Sequence, residues 1–197
     1  MRIITIDDFI DVYLKIIQRG GTFILSKLNP NGLARTKSAF SDSAIQSSNW
    51  WIIPVIRERW NEKITGNKAV EYEEYTVNKY LQGRKNLRML SIGSGICSHE
   101  LKFAQYNNFQ EIICMDIADN LLQKAQKIAQ QQQLENIQFL VQNIYKADFP
   151  PAEFDLILFH SSLHHFSNIE NLLSNKVKNW LRPVSYTHLT LPTTPYV

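Results

Sequence analysis

Two glycines and an aspartate stand at a spacing that suits a ligand containing a nucleoside. Gly93 and Gly95 end a short apolar run, and glycines after a buried strand let a ligand approach the backbone. Asp116 follows Gly95 by 21 residues and closes a second apolar run. That spacing matches the roughly 20 residues that separate such a loop from a carboxylate that binds ribose hydroxyls. A structural turn or a helix-capping carboxylate would explain each residue alone, but their joint spacing favours a nucleoside cofactor.

Position 98 bears on the type of cofactor. A dinucleotide-binding loop carries a third glycine there, where helix, strand and pyrophosphate crowd together, and this chain carries Ser98. A nicotinamide dinucleotide is therefore disfavoured. It stays an alternative, because fold-level analogy alone does not decide between cofactors.

Short apolar runs alternate with amphipathic segments in the second half of the chain. Buried strands are predicted over residues 87–92, 112–115, 137–141 and 154–159, with helices over 98–106 and 120–133. This alternation predicts right-handed βαβ crossovers and a doubly wound α/β fold with a mainly parallel sheet. The glycines would then follow the first strand directly, where open α/β sheets bind ligands.

The first 86 residues are predicted to be mainly helical and to form an N-terminal extension or cap. Helices are predicted over residues 6–17, from Pro54 to about Trp60, and over 70–81. Thr5 and Asp8 are placed like a capping box at the start of the first helix. Residues 22–48 are rich in Ser, Asn, Gly and Thr and are expected to be mainly loop.

Four segments resemble the motifs of class I S-adenosylmethionine-dependent methyltransferases. They are 87–95 for the glycine-rich first motif, 115–117 for the second, 142–144 for the adenine-contacting motif and 154–166 for the fourth. The resemblance covers residues 87–183 and implies a Rossmann-like core that binds S-adenosylmethionine. Methyl transfer to an acceptor is the activity that it implies.

The first motif implies contacts to the methionine part of the cofactor. Gly93 and Gly95 would lie against it, with Ser94 beside them. Ser91 stands where the family usually has an acidic residue, and Cys97 stands where a third glycine is common. Because Ser91 accepts a hydrogen bond but carries no charge, weaker binding of the cofactor's ammonium group is expected.

The other motifs imply contacts to the nucleoside and to the methyl-donor pocket. Asp116 would hold the ribose and Ile117 would pack on adenine. Asn143 would meet the adenine amino edge, with Ile144 offering its backbone N–H. His160, at the end of the fourth predicted strand, would face the methyl-donor pocket.

Histidines cluster after the fourth predicted strand. His164 and His165 are candidates for orienting a substrate or removing its proton, and packing roles are equally compatible with the sequence. A metal site on His160 and His164 is disfavoured, because no nearby Cys or acidic residue completes a ligand set. No catalytic residue is identified. Asp155 begins its strand, so it is expected to lie away from the ligand edge.

Composition limits the partners. The net charge of +3 comes from 21 basic and 18 acidic residues without runs of Lys and Arg, so no nucleic-acid partner is expected. Acidic residues near the N-terminus argue against a signal peptide and a membrane span. Cys97 and Cys114 lie in apolar surroundings, which fits reduced thiols. We therefore expect a cytoplasmic protein with a small-molecule substrate and no membrane partner.

Two alternatives to a methyltransferase stay open. One is an NAD(P)-dependent oxidoreductase on the same fold. The other is a non-catalytic module that binds a nucleoside cofactor, suggested by Ser91 and Cys97.

Residues 184–197 resemble a translated sequencing adapter and are expected to be a non-native tail. The sheet would then be incomplete at its C-terminal end, and the chain expressed alone is expected to aggregate or to bind dye as a loosened globule does, and to show little methyltransferase activity. Residues 185–191 have strand-like composition, so they are an alternative candidate for a fifth strand.

Overall fold

The computed structural model describes residues 5–19, 30 and 53–183. The chain divides into two compact units, Met1–Asn49 and Trp50–Val197. Two helices that precede the sheet belong to the second unit. The predicted loop at 22–48, apart from residue 30, and the predicted tail at 184–197 lie outside the described residues.

The first unit contains helix α1 (Ile6–Arg19). Oδ2 of Asp8 accepts hydrogen bonds from the backbone N–H of Thr5 at 2.8 Å and from its hydroxyl at 3.0 Å. Asp8, the third residue of the helix, thus accepts a hydrogen bond from the backbone N–H of Thr5, the residue before the helix. This contact is one half of a capping box. The predicted start of this helix is confirmed.

Four parallel strands form the sheet of the second unit. They are β1 (Leu87–Ile92), β2 (Phe109–Asp116), β3 (Ile137–Val141) and β4 (Leu156–Leu158), in the spatial order β3-β2-β1-β4. The strand order reverses between β1 and β4, so the carboxyl end of β1 lies at a topological switch point, where such sheets bind ligands. The predicted doubly wound, Rossmann-like fold is confirmed.

Helices cover both faces of this sheet. The helical elements are α2 (Pro54–Thr65), α3 (Tyr72–Tyr80), α4 (Glu100–Phe103), α5 (Asp119–Gln131) and α6, a continuous helix made of Ile169–Asn171, a π-helical Leu172–Val177 and Lys178–Trp180. Among the described residues, none of these helices is both long and apolar enough to cross a bilayer.

Side chains of β1 alternate between two cores. Leu87 and Met89 pack with residues of α3, α4 and α5, whereas Leu90 and Ile92 pack with residues of α6. Because side chains alternate along a strand, Ser91 points to the α3 and α4 side. That orientation decides what surrounds Ser91 at the carboxyl end of β1.

Backbone pairing continues beside β4. Phe154 forms a parallel bridge with Leu181, supported by hydrogen bonds from Phe154 N–H to Trp180 O and from Arg182 N–H to Phe154 O, each 2.9 Å. At its start, β4 is therefore flanked by β1 on one side and by the chain after α6 on the other.

Candidate functional site

The loop after β1 is anchored to β2 and shaped by two glycines in the left-handed region. Gly93 has φ +71° and Gly95 has φ +55°. The N–H of Gly93 donates to Met115 O at 2.8 Å. A Cβ on Gly93 would lie 2.7 Å from Cβ of Ser162, whereas a Cβ on Gly95 would meet no heavy atom within 4 Å. Open space is therefore found beside Gly95, whereas Ser162 occupies the place that a Cβ on Gly93 would take.

Asp116 joins this loop to the end of β2. Its Oδ2 accepts a hydrogen bond from the N–H of Gly95 at 2.8 Å, and its Oδ1 accepts one from the N–H of Ala118 at 2.8 Å. A carboxylate oxygen has two acceptor sites, so both oxygens of this half-buried group can accept a further hydroxyl donor. The geometry is compatible with the predicted ribose contact.

A second carboxyl group lies beneath the loop. Ser91 is 0% exposed, and its hydroxyl donates to Oε1 of Glu100 at 2.5 Å. Glu100 is 1% exposed, and burial raises its pKa, an effect that the Ser91 hydrogen bond partly opposes. The structure therefore brings a carboxyl to a position where the sequence had indicated a missing charge.

An aromatic and imidazole cluster lies at the ends of β1 and β4. The Tyr72 ring, from the first turn of α3, stacks on His160 with centroids 5.6 Å apart and planes 3° apart. The His99 ring contacts His160 with centroids 3.6 Å apart, and Nδ1 of His99 lies 2.6 Å from Oε1 of buried Glu73. Burial, and secondly the proximity of His99, lowers the pKa of His160 to about 3. His160 is therefore a neutral ring covered by α3.

Two buried hydroxyls border this cluster and the glycine loop. Within the part of the chain that the structure describes, Oη of Tyr72 and Oγ of Ser94 are buried without a hydrogen-bond partner. Burying a hydroxyl without a partner is costly, so such atoms mark places that a polar ligand completes. Together with the open space beside Gly95, they fit a ligand rich in polar groups, as S-adenosylmethionine is.

The predicted adenine-side residues lie after β2 and β3. Ile117 is half-buried next to Asp116, and Asn143 Oδ1 accepts a hydrogen bond from the N–H of Tyr145 at 3.0 Å. The Ile144 side chain is 3% exposed and belongs to the core on the α6 side. Only the backbone of Ile144 is thus left to contact a ligand, in the way that the sequence predicts.

Lys176 of α6 forms hydrogen bonds to the segment after β3. Its Nζ donates to three backbone carbonyls, those of Ile144 at 3.2 Å, Tyr145 at 3.0 Å and Ala147 at 2.7 Å. The hydroxyl of Tyr145 accepts a hydrogen bond from the N–H of Ser167 at 2.7 Å. The segment is therefore held from the region that follows β4.

The predicted substrate histidines lie in a short 3-10 turn, Leu163–His165. Both rings are exposed, with centroids 3.8 Å apart. Burial and the neighbouring His164 lower the pKa of His165, while Asp116 opposes this shift. The described ranges contain no group of three side chains able to hold a metal ion.

Asp155 has a structural role at the opposite edge of the sheet. It is 8% exposed and accepts hydrogen bonds from the backbone N–H of Arg88 at 2.9 Å and from the Arg182 guanidinium at 2.8 Å. Arg84 lies 3.4 Å away. These contacts fix the start of β4 and agree with leaving Asp155 out of the site.

Sequence reasoning missed four residues of this region: Tyr72, Glu73, His99 and Glu100. The first two come from α3, and no local pattern indicates that this helix covers the end of β1. Glu100 could have been suspected, because it opens a predicted helix directly after the glycine loop. Its burial, however, depends on the packing of α3.

The family of the chain follows from a match to a family model. Residues 84–193, more than half of the chain, match a family described as "Methyltransferase domain". The chain belongs to this family. In this methyltransferase-domain chain the matched region contains the glycine loop, Asp116 and the histidines, but not Tyr72 and Glu73. The resemblance seen in the sequence is thereby confirmed.

Known relatives agree with this assignment. The chain is 32% identical over 91 residues to YcgJ, an uncharacterized methyltransferase of Bacillus subtilis (strain 168), and the match covers 46% of this chain and 35% of YcgJ. The chain thus spans about a third of the length of that curated relative. The YcgJ structure compares with a TM-score of 0.50 and 28% identity, over 56% of this chain and 46% of that one.

Two more distant structures share the fold. The [4+2]-cyclase SpnF has a TM-score of 0.52 and 17% identity, covering 58% of this chain and 42% of its own. A Methanococcus maripaludis protein, described as a candidate S-adenosyl-L-methionine-dependent methyltransferase, has a TM-score of 0.51 and 16% identity, covering 66% and 57%. At these identities the likeness establishes the fold alone.

Proposed function

We propose that this methyltransferase-domain chain binds S-adenosylmethionine and transfers its methyl group to a small-molecule acceptor. The observation that carries the proposal is the hydrogen bond between the N–H of Gly95 and the carboxylate of Asp116 at the switch point of the sheet. This hydrogen bond joins the glycine loop, which has open space beside Gly95, to a carboxylate oriented to accept hydrogen bonds from ribose hydroxyls.

The residues around this bond would hold the cofactor at both ends. Gly95 and Ser94 would border its amino-acid end, Asp116 the ribose, and Ile117 and Asn143 the adenine. When bound, the sulfonium supplies an already activated methyl group, so the protein contributes alignment and exclusion of water. A dedicated nucleophile is not required.

The neutral state of His160 suits a cationic ligand. Because its pKa is lowered to about 3, the ring carries no positive charge near neutral pH. A neutral ring does not repel a sulfonium, whereas a protonated one would. Tyr72 covers this ring and would shield the neighbouring pocket from water.

A small acceptor and a cytoplasmic location are the finer parts of the proposal. The small acceptor is supported by the absence of Lys and Arg runs and by the exposed imidazoles of His164 and His165, and the cytoplasmic location by the buried, unpaired thiols of Cys97 and Cys114. SpnF is named for a cyclisation, which illustrates that this fold does not by itself imply methyl transfer.

Thermal shift and turnover together test the proposal. S-adenosylmethionine and S-adenosylhomocysteine should raise the melting temperature of the full chain, and NAD and NADP should not. Transfer of a labelled methyl group to any member of a panel of small alcohols, amines and thiols would support the enzyme over a binding module. Stabilisation by NAD alone would contradict the proposal.

A further inference from the structure

Glu100 is a buried carboxyl group without a lysine or arginine partner among the described residues. It is 1% exposed, and its Oε1 accepts the Ser91 hydroxyl at 2.5 Å. Within the described residues, no lysine or arginine forms an ion pair with it. Other carboxylates of this unit do have such partners: Glu111 pairs with Arg88, and Asp155 pairs with Arg182. A buried charge without a partner is costly, so this carboxyl is complementary to a cation that no lysine or arginine of the described residues supplies.

The groups that face Glu100 do not change this conclusion. His99, the residue that precedes α4, favours the charged form of Glu100. Nδ1 of this imidazole, however, already lies 2.6 Å from Oε1 of Glu73 of α3, and the negative charge of Glu73 disfavours the charged form of Glu100. Tyr72 of α3 and Cys114 of β2 also face Glu100; burial raises the pKa of each, and the negative charge of Glu100 is a smaller contribution. Ser91 of β1 is a hydroxyl donor without charge. Among the described groups that face Glu100, only His99 can carry a positive charge.

The position of Ser91 and Glu100 indicates which ligand group would supply a positive charge. Ser91 stands at the carboxyl end of β1, two residues before Gly93, on the face covered by α3 and α4. The unpartnered hydroxyls of Tyr72 and Ser94 are further polar atoms of this region that a ligand could satisfy. A ligand group that completes the site would be a cationic hydrogen-bond donor.

We propose that Glu100 is the counter-ion for the ammonium group at the amino-acid end of the cofactor, and that Ser91 positions its carboxyl. This inference rests on the proposed function and names the residue that binds this end of the ligand. The carboxylate whose absence at position 91 suggested weak binding is then contributed by α4. Glu100 then binds the ammonium group in place of an acidic residue at position 91.

Two ligands separate this role from a structural one. S-adenosylhomocysteine carries the ammonium group, and 5′-methylthioadenosine carries the same nucleoside without the amino-acid end. Glu100→Gln keeps an acceptor for Ser91 and removes the charge, so it should weaken S-adenosylhomocysteine binding about tenfold or more. Binding of 5′-methylthioadenosine should stay within about twofold. Glu135→Gln, an exposed carboxylate, is the matched control and should change neither affinity.

A variant that moves the carboxylate gives the second test. Ser91→Asp combined with Glu100→Ser exchanges the acidic group and the hydroxyl between strand and helix. It should bind S-adenosylhomocysteine more tightly than Glu100→Gln does. If Glu100→Gln does not fold, the exchanged variant should still bind S-adenosylhomocysteine with an affinity comparable to that of the wild-type chain. Equal weakening of both ligands by Glu100→Gln, unchanged binding of both, or no gain in the exchanged variant would overturn the inference alone. A wild-type chain that binds neither ligand would overturn the proposed function as well.

Discussion

The N–H of Gly95 donates a hydrogen bond to Oδ2 of Asp116 at 2.8 Å, although 21 residues separate them in sequence. The other carboxylate oxygen accepts the N–H of Ala118 at 2.8 Å. The carboxylate is therefore oriented by the backbone before a ligand arrives, and an acceptor that is already oriented loses less entropy on binding. One side chain links the glycine loop to the start of α5 and presents its remaining acceptor sites to a ribose.

Asp116→Ala should weaken S-adenosylhomocysteine binding by at least about 1 kcal/mol, roughly fivefold in Kd, because charge-assisted hydrogen bonds to ribose are lost. Its melting temperature should also fall, since two backbone N–H groups lose their acceptor. Asp148→Ala, an exposed carboxylate between β3 and β4, is the control and should alter neither quantity. Unchanged affinity in a folded Asp116→Ala protein would remove Asp116 from the site.

Gly93→Ala should destabilise the fold more than Gly95→Ala. Both positions have positive φ, which costs a side chain about 1–2 kcal/mol, but only at Gly93 does the new Cβ meet an atom, Cβ of Ser162 at 2.7 Å. Urea unfolding of the two variants measures the difference. Equal stabilities would show that Ser162 yields and that packing is not the reason for this glycine.

The bounds of some strands could be predicted from the sequence, whereas the packing around Gly93 could not. The bounds of β1 and β3 are those predicted, because each is an apolar run flanked by polar residues. β2 begins earlier than predicted, because Phe109 and Glu111 pair with Leu87 and Arg88. The packing reason for Gly93 depends on Ser162, whose hydroxyl also bonds to Ile92 O at 2.6 Å across 70 residues of sequence. No local pattern contains that contact.

Some residues of the candidate site could be predicted from the sequence, and others could not. Asp116 and Gly95 could be predicted because their spacing has a chemical meaning of its own. The pairing of Glu73 with His99, and the burial of Glu100, require α3 to pack against the end of β1. Propensity and periodicity predict that α3 is a helix, but not where it packs.

His160 should remain neutral down to strongly acidic pH. Its ordinary pKa is 6.5 and burial lowers it to about 3 in the folded protein. Stability from this group is fully present above about pH 6.5 and is lost as pH falls towards 3, because the unfolded chain then binds a proton that the folded chain does not. The ring carbon resonances of His160, assigned by their loss in His160→Phe, follow this by NMR. Titration near pH 6.5 would contradict the burial of this ring beneath Tyr72.

Lys176→Met should weaken S-adenosylhomocysteine and 5′-methylthioadenosine by the same factor. The lysine holds three carbonyls of the segment after β3, and methionine keeps the bulk but removes the donors. Both ligands carry adenosine, so loosening of the adenine side should affect them equally, by roughly 1 kcal/mol or more. Lys178→Met is the exposed control on the same helix. A loss confined to S-adenosylhomocysteine would contradict this positioning role.

Isothermal titration of the full chain with S-adenosylhomocysteine, and separately with NAD, distinguishes an S-adenosylmethionine site from a dinucleotide site. We expect saturable heat with one S-adenosylhomocysteine per chain and none above dilution with NAD, because the loop offers Ser98 where a dinucleotide site needs glycine. Saturable binding of NAD without binding of S-adenosylhomocysteine would exclude the proposed methyl-donor site and favour an oxidoreductase on the same fold.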